Sequence, residues 1–175
     1  FFLLLLSPIF LIISILIIFK DGLPIFYVQN RIGFQGKYFK MFKFRTMIVN
    51  ADKTNVFSTK KDDKRITKLG NILRNYKLDE LPQLFNVIIG QMSFVGPRPN
   101  VVFEVKNYNS FEKEILKVKP GITDLASIIF NDEGEILRKS NNPNKDYQNF
   151  IQPWKGLLGL IYIKEKNFKL DFIIL

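Results

Sequence analysis

The chain opens with a 19-residue apolar segment, Phe1–Phe19 (FFLLLLSPIFLIISILIIF), that carries no charged side chain. As an α-helix it would be about 28 Å long, close to the thickness of the hydrocarbon core of a bilayer. A signal peptide usually has a shorter apolar region and a small-residue cleavage site, so the segment favours a membrane helix. Pro8 follows Ser7 within the run and predicts a bend. Two topologies remain open: a kinked transmembrane span, which composition favours, and a re-entrant hairpin that enters and leaves on one face.

The composition excludes several kinds of chemistry. The 175 residues include neither histidine nor cysteine. Thiolate nucleophiles, His-based triads, disulfides and metal sites built from Cys or His are therefore excluded. Any catalysis must use carboxylates, Lys, Arg, Tyr, hydroxyl groups or a metal held by oxygen.

The charge of the chain favours anionic partners. There are 26 Lys and Arg against 16 Asp and Glu, which gives a net charge of +10. Basic segments tend to stay on the cytoplasmic side of a membrane, and they are attracted to anionic lipid. We therefore expect the polar remainder of the chain to be cytoplasmic. The first residue is not Met, so we expect a trimmed or partial chain.

The remaining residues have the mixed composition of one globular domain. Aromatic and β-branched residues predict strands at Ile25–Gln29 and Tyr38–Met47, and Gly33 and Gly36 between them indicate an antiparallel connection. Apolar spacing predicts helices at four places: around Ile66, Leu69, Leu73 and Tyr76, then at Glu80–Ile89, Phe103–Lys117 and Trp154–Leu175. The last of these would lie on the core or on a membrane surface. Polar loops are expected at 50–63 and 131–146, and a break at Pro120-Gly121.

The segment Leu78–Asn86 (LDELPQLFN) is the most informative polar motif. Asp79 is placed to cap a helix, with Pro82 in its first turn, where a missing N–H costs little. A structural role is therefore open, in which Asp79 caps the helix and Glu80 complements its dipole. A catalytic role uses the same placement, because two adjacent carboxylates could serve as covalent nucleophile and as ligand of Mg²⁺.

Three further stretches supply cations that suit a phosphate. Arg98 lies between two prolines, on a stiff backbone that favours bidentate phosphate binding. Lys43 and Arg45 would share one face of a strand. Arg74 is one of several basic residues on its predicted helix. Each could also be an ordinary surface residue. Together with the carboxylate pair and the apolar segment they favour a diphosphate substrate with a lipid-soluble partner.

In this order, the motifs resemble the bacterial sugar transferase family, the monotopic phosphoglycosyl transferases. The matching segments cover nearly the whole chain: Ser7-Pro8, Gln29 with Arg31-Ile32-Gly33, Phe39 with Lys43–Met47, Leu78–Asn86, Met92–Pro99 and Pro120–Thr123, then more weakly Tyr162, Asn167-Phe168 and Asp171. The Asp-Glu and Pro-Arg-Pro segments are too long and specific for chance agreement.

The resemblance implies an enzyme, a phosphoglycosyl transferase. Members of this family move a sugar 1-phosphate from a UDP-sugar to a polyprenol phosphate such as undecaprenyl phosphate. The products are polyprenol-diphosphate-sugar and UMP. This is the first membrane step in the assembly of O-antigen, capsule, exopolysaccharide or glycoprotein glycans.

The same resemblance implies roles for individual residues. Asp79 would be the nucleophile that attacks the β-phosphorus and forms an aspartyl-phosphosugar intermediate. Glu80 would complete the catalytic pair and hold Mg²⁺. Arg98 and Arg74 would contact substrate phosphate. Lys43 and Arg45 match the family's basic motif near the site and are expected to bind substrate as well.

The fold that the resemblance implies is α+β and mainly helical. It would comprise a re-entrant membrane helix hairpin over 1–20, broken at Ser7 and Pro8, and a catalytic domain over 21–175 with a small β-hairpin and amphipathic interfacial helices. The preference for a plain span is thereby reversed. The protein would lie in the bacterial inner membrane, with its catalytic domain on the cytoplasmic face. The expected partners are a UDP-sugar, polyprenol phosphate and membrane lipid, without nucleic acid; a homodimer is left open.

The chain departs from the family pattern in a few places. It reads GITDLAS at Gly121–Ser127, where many members have Gly-Ile-Thr-Gly-Leu-Ala-Gln. This segment and Asn131–Glu135 after it are candidates for choosing the sugar. The usual prelude before the apolar segment is missing, and the chain stops soon after Asp171, as expected of a truncated chain.

Two other functions stay open on the residues alone. A membrane-anchored nucleic-acid-binding protein would suit the charge of +10, and a catalytically silent membrane scaffold would keep the fold. The adjacent carboxylates argue against nucleic acid, because they repel a phosphate backbone unless a metal intervenes.

Overall fold

The computed structural model describes residues 2–54 and 58–175; Phe1 and residues 55–57 of the predicted loop lie outside it. The helices are α1 Phe2–Asp21, α2 Lys68–Asn75, α3 Gln83–Ile88, α4 Val102–Lys106, α5 Leu125–Ile129, α6 Glu133–Ile136, α7 Pro143–Asp146, α8 Gln152–Glu165 and α9 Phe168–Ile174. The strands are β1 Phe26–Ile32, β2 Tyr38–Phe44, β3 Ser93–Val95 and β4 Gly121–Thr123. The predicted mixed and mainly helical fold is confirmed at this level.

Helix α1 is continuous and includes Pro8. Its Ile13 and Ile17 are buried in one cluster with Phe44 of β2 and Leu73 of α2, which fastens the helix to the rest of the fold. The expected re-entrant hairpin is not confirmed, since the helix is not broken at the Ser-Pro step. None of the helices in the described part of the chain is long and apolar enough to cross a membrane.

Strands β1 and β2 form the predicted antiparallel hairpin, in which Phe26 lies opposite Phe44. The second strand ends at Phe44 rather than at Met47. Beyond it the chain turns towards the start of α2, where Met47 bridges Ile66 and the Thr67 N–H donates to the Thr46 carbonyl at 3.0 Å. This link is non-local, so it leaves no mark in the residue pattern of the strand.

The carboxylate segment differs from the predicted helix. Residues Leu78–Glu80 form a 3₁₀ turn, and α3 begins only at Gln83, with Pro82 before it at the N-cap position. Lys77, between α2 and this turn, has a left-handed backbone (φ 56°). Asp79 therefore lies within a tight turn, and the prediction that it caps a helix is wrong.

Two other local predictions are corrected. The helix expected over Phe103–Lys117 is divided into α4 and a 3₁₀ segment Glu112–Lys117. Asn109 and Glu112 exchange two backbone-to-side-chain bonds of 2.9 Å, which favours a new start there over a continuous helix. The polar stretch 131–146 contains α6 and α7, and the Asn142 side chain caps α7 ahead of Pro143.

Strands β3 and β4 are parallel neighbours, with Ser93 opposite Gly121 and Val95 opposite Thr123. The sequence predicted only a break at Pro120-Gly121. Gly96 follows β3, and its backbone lies so close to Gly121 that a Cβ on Gly121 would be 2.2 Å from the Gly96 nitrogen. Because neither backbone can yield without breaking this pairing, the site permits glycine alone.

We expect Gly121→Ala to lower the free energy of unfolding by about 2–4 kcal/mol, since overpacking at a rigid backbone contact cannot relax cheaply. Chemical denaturation followed by circular dichroism measures the change. Gly156→Ala is the matched control, because its added Cβ would meet only ordinary contacts, the nearest at 3.5 Å from Glu112. Equal stability of the two variants would contradict the close approach of the strands.

Candidate functional site

The 3₁₀ turn presents its two carboxylates to a cavity of about 1010 Å³, which is large enough for a nucleotide sugar. Asp79 and Glu80 line this cavity together with Lys43 from β2, Arg74 from α2 and Arg98 from the loop after β3. Segments that are distant in sequence thus place three predicted cations around the two carboxylates, and the sixth predicted residue, Arg45, lines the same cavity.

Glu80 is held between two cations. Its Oε1 lies 2.9 Å from Lys43 Nζ. Arg98 donates from both terminal nitrogens, Nη2 to Oε1 and Nη1 to Oε2, in a forked arrangement. Burial alone would raise the pKa of Glu80, but the charges of Arg98 and Lys43 outweigh it and hold that pKa well below its usual range. Glu80 is therefore ionised at any physiological pH.

The pKa of Asp79 is shifted in the opposite direction from that of Glu80. Its side chain is buried, with 6% of the residue exposed. Burial raises the pKa of Asp79, and the charge of Glu80 adds to this, while Lys43, Arg74 and Arg98 oppose it. A desolvated carboxylate beside fixed cations is a more reactive nucleophile than one in water.

The two remaining predicted cations have different surroundings. Arg74 Nε donates to Thr46 Oγ1 at 2.8 Å, which orients this side chain near Asp79. Arg45 lines the cavity, but its Nη2 donates to the carbonyls of Asp21 and Gly22 at 2.6 and 2.7 Å. It therefore closes the C-terminal end of α1, whereas Lys43 reaches Glu80. The substrate role of Arg45 stays a prediction.

Sequence reasoning missed what Asp124 does. Its Oδ2 accepts a bond of 3.2 Å from the backbone N–H of Arg98, and its Oδ1 accepts bonds from the N–H and hydroxyl of Ser127 at 2.7 and 2.6 Å. The residue thus caps α5 and fixes the loop that carries Arg98. The Asp-x-x-Ser spacing signals the cap, but nothing local signals the bond to Arg98.

Asn86 is a second residue that the sequence analysis left without a role. It is fully buried, and its Nδ2 donates to the Lys40 carbonyl at 2.7 Å while its Oδ1 accepts from Phe42 N–H at 3.1 Å. These bonds fasten α3 to β2, and so set the carboxylate turn against the strand that carries Lys43.

The oxygen donors of the site fit Mg²⁺. Among the described residues, no three or more acidic side chains are grouped so that they could hold a metal ion by themselves. Mg²⁺, however, is usually held by one or two protein carboxylates together with substrate phosphates and water. Glu80 is ionised and adjacent to Asp79, so the pair meets this requirement.

The chain is similar to a protein family and to several known proteins. A family model described as bacterial sugar transferase matches residues 1–175. The exopolysaccharide production protein ExoY of Sinorhizobium fredii is 40% identical over 174 residues, covering 90% of this chain and 75% of that protein.

Two further relatives are named for their reactions. The UDP-glucose:undecaprenyl-phosphate glucose-1-phosphate transferase of Klebsiella pneumoniae is 40% identical over 171 residues, which are 95% of this chain and 37% of that protein. A putative undecaprenyl-phosphate N-acetylgalactosaminyl 1-phosphate transferase of Bacillus subtilis is 43% identical over 117 residues, 66% of this chain and 61% of that protein. The chain therefore spans less than two thirds of the length of these two proteins.

Proposed function

The chain belongs to the bacterial sugar transferase family, and on that premise we propose that it transfers a sugar 1-phosphate from a UDP-sugar to undecaprenyl phosphate. The products are undecaprenyl-diphosphate-sugar and UMP. One observation carries the proposal: Asp79 and Glu80 share a cavity with Lys43, Arg74 and Arg98. A carboxylate nucleophile surrounded by fixed cations suits attack on a diphosphate, since those cations neutralise the repulsion between the two anions.

In the first step, a carboxylate oxygen of Asp79 forms a bond to the β-phosphorus. The bond from that phosphorus to the bridging oxygen breaks, and UMP leaves with that oxygen. A phosphosugar ester remains on Asp79. The buried position of Asp79 and the charges of Lys43, Arg74 and Arg98 around it support this assignment.

In the second step, a phosphate oxygen of undecaprenyl phosphate attacks the phosphorus of the aspartyl ester. The new phosphorus–oxygen bond completes the lipid diphosphate, and Asp79 leaves as a carboxylate. Two transfers let each anionic substrate bind in turn against the same cations, which avoids placing three phosphates there at once.

We propose that Glu80 would hold Mg²⁺ in the cavity beside Asp79. The ion would supply neutralisation of charge on the substrate phosphates. Arg98 and Lys43 keep Glu80 ionised, as a cation ligand requires.

We further propose that the protein works at the cytoplasmic face of the bacterial inner membrane, with 1–20 re-entrant and 21–175 catalytic. Large apolar side chains are exposed on α1, including Leu11 and Phe19, and on α9, including Phe168 and Phe172. Burying these side chains in lipid would recover the free energy that their contact with water costs. With these helices in the lipid, the site would lie at the membrane surface, where the phosphate of a membrane-embedded polyprenol also lies.

The proposed function is tested by incubating the full chain with undecaprenyl phosphate, Mg²⁺ and each of UDP-glucose, UDP-galactose, UDP-N-acetylglucosamine and UDP-N-acetylgalactosamine. We expect UMP release and a lipid-linked sugar with at least one donor. Excess EDTA should lower the rate about 100-fold, and added Mg²⁺ should restore it. No UMP with any donor contradicts the activity, and full activity in EDTA contradicts the role of Glu80.

A further inference from the structure

The cavity has a second polar wall that the proposed chemistry does not use. It consists of Arg31, Glu104, Glu133, Tyr147 and Lys155, which line the same cavity as Asp79. These residues come from β1, α4, α6, the π-helical segment Tyr147–Ile151 before α8, and α8 itself. We term this set the Tyr147 wall.

Contacts between its members hold the wall in one arrangement. Lys155 forms an ion pair with Glu133, and its Nζ lies 5.1 Å from the centre of the Tyr147 ring. Glu104 lines the same wall; burial raises its pKa, while the charges of Arg31 and Lys155 oppose that shift.

Arg31 keeps an unused donor. It donates to Gln29 Oε1 at 2.6 Å and to the Pro99 carbonyl at 3.1 Å. Among the described residues, however, its buried Nε has no hydrogen-bond partner. A buried donor without an acceptor is costly, so a ligand with an accepting oxygen would stabilise this side chain.

Arg98 lies between the carboxylate Glu80 and the Tyr147 wall. On one side it grips Glu80 with both terminal nitrogens. On the other side is Arg31 of the Tyr147 wall. Its pKa is lowered first by burial and second by the charge of Arg98, and its Nη1 donates to the carbonyl of Pro99, the residue that follows Arg98. A diphosphate bound at Arg98 would therefore have one of its two substituents beside the Tyr147 wall.

The chemistry of the wall discriminates between those substituents. Its two cations and two carboxylates balance in charge, and the carboxylates would repel a diphosphate. A uracil ring needs a flat apolar surface for stacking, but Lys155 occupies one face of the Tyr147 ring. Charged donors and acceptors interleaved around an aromatic ring suit the alternating hydroxyl groups of a pyranose, each of which both donates and accepts.

We propose that the Tyr147 wall binds the sugar ring of the nucleotide sugar, a neutral polyhydroxylated pyranose, and selects among such sugars; this rests on the proposed function. Glu133 belongs to the Asn131–Glu135 segment that the sequence marks as a candidate for sugar choice. In this proposal Glu133 contacts the sugar together with four wall residues from outside that segment, which come from β1, α4, the segment before α8 and α8.

The test uses the full chain carrying Asp79→Asn, which prevents turnover, and calorimetric dissociation constants for UDP and for the UDP-sugar that the parent converts. Glu133→Gln and Lys155→Gln are introduced separately, so that one unstable variant does not remove the test. We expect each to weaken UDP-sugar binding about tenfold, the value of one charged hydrogen bond, and to leave UDP binding within about twofold. Glu114→Gln is the control, since Glu114 pairs with Lys117 on the surface, largely in solvent.

The outcomes separate this inference from the proposed function. Equal weakening of UDP and UDP-sugar would assign the wall to the nucleotide and overturn the inference, as would unchanged UDP-sugar binding in both variants. Unchanged preference in the UMP assay when Glu133→Gln or Lys155→Gln is made in the active parent would also count against it. Failure of the parent to release UMP from any donor overturns the proposed function instead.

Discussion

Asp79→Asn should lower UMP release and formation of lipid-linked sugar by at least about 10⁴-fold, because a carboxamide cannot form the phosphosugar ester. The change keeps the size and shape of the side chain, so the turn that holds it should persist. Radiolabelled UDP-sugar, with counts in the lipid fraction and UMP measured in parallel, gives both products from one reaction. A variant that turns over like the parent would remove Asp79 from the role of nucleophile.

Asp62→Asn provides the matched control. Asp62 is an exposed carboxylate that is paired with Arg138 and does not line the cavity. Its loss should change activity by no more than about twofold, as expected for a surface ion pair. The comparison separates loss of the nucleophile from a general effect of removing one negative charge.

Asp79→Asn also tests whether the phosphosugar ester forms. Parent protein incubated with its donor, but without undecaprenyl phosphate, should gain the mass of one sugar phosphate on the peptide that contains Asp79. The Asp79→Asn variant should gain no such mass. Repeated absence of this adduct from a parent that forms product would favour direct transfer between the two substrates.

Residue pattern and motif order predict much of this site. The hairpin follows from two aromatic strands and two glycines, and α2 follows from the spacing of Leu69 and Leu73. The resemblance then places Asp79, Glu80 and Arg98 in one site, which the shared cavity and the grip of Arg98 on Glu80 agree with.

The rest depends on contacts between distant segments. Arg45 was grouped with Lys43 because the two alternate along a predicted strand, but β2 ends at Phe44 and Arg45 closes α1 instead. The pairing of β3 with β4 involves only three residues on each side, too few to show a period. Asp124 reads as a local cap, and only the fold brings its second oxygen to Arg98.

The largest expected effect outside the nucleophile belongs to Arg98. Arg98→Ala should lower kcat/KM about 10³-fold, because the variant loses the guanidinium that we expect to contact substrate phosphate and leaves Glu80 with Lys43 alone. The loop itself should persist, since Asp124 accepts the backbone N–H at this position, which alanine also supplies. Unfolding measured beside the kinetics checks that point.

Arg98→Lys distinguishes charge from geometry. A lysine restores the positive charge but not the two parallel donors, so we expect it to recover no more than about tenfold of the lost rate. Arg138→Lys is the control, because Arg138 also contacts two carboxylates, Asp62 and Glu135, but at the surface. Its activity should stay within about twofold of the parent. Full activity in Arg98→Lys would show that charge alone suffices, and the forked grip on Glu80 would then have no part in transfer.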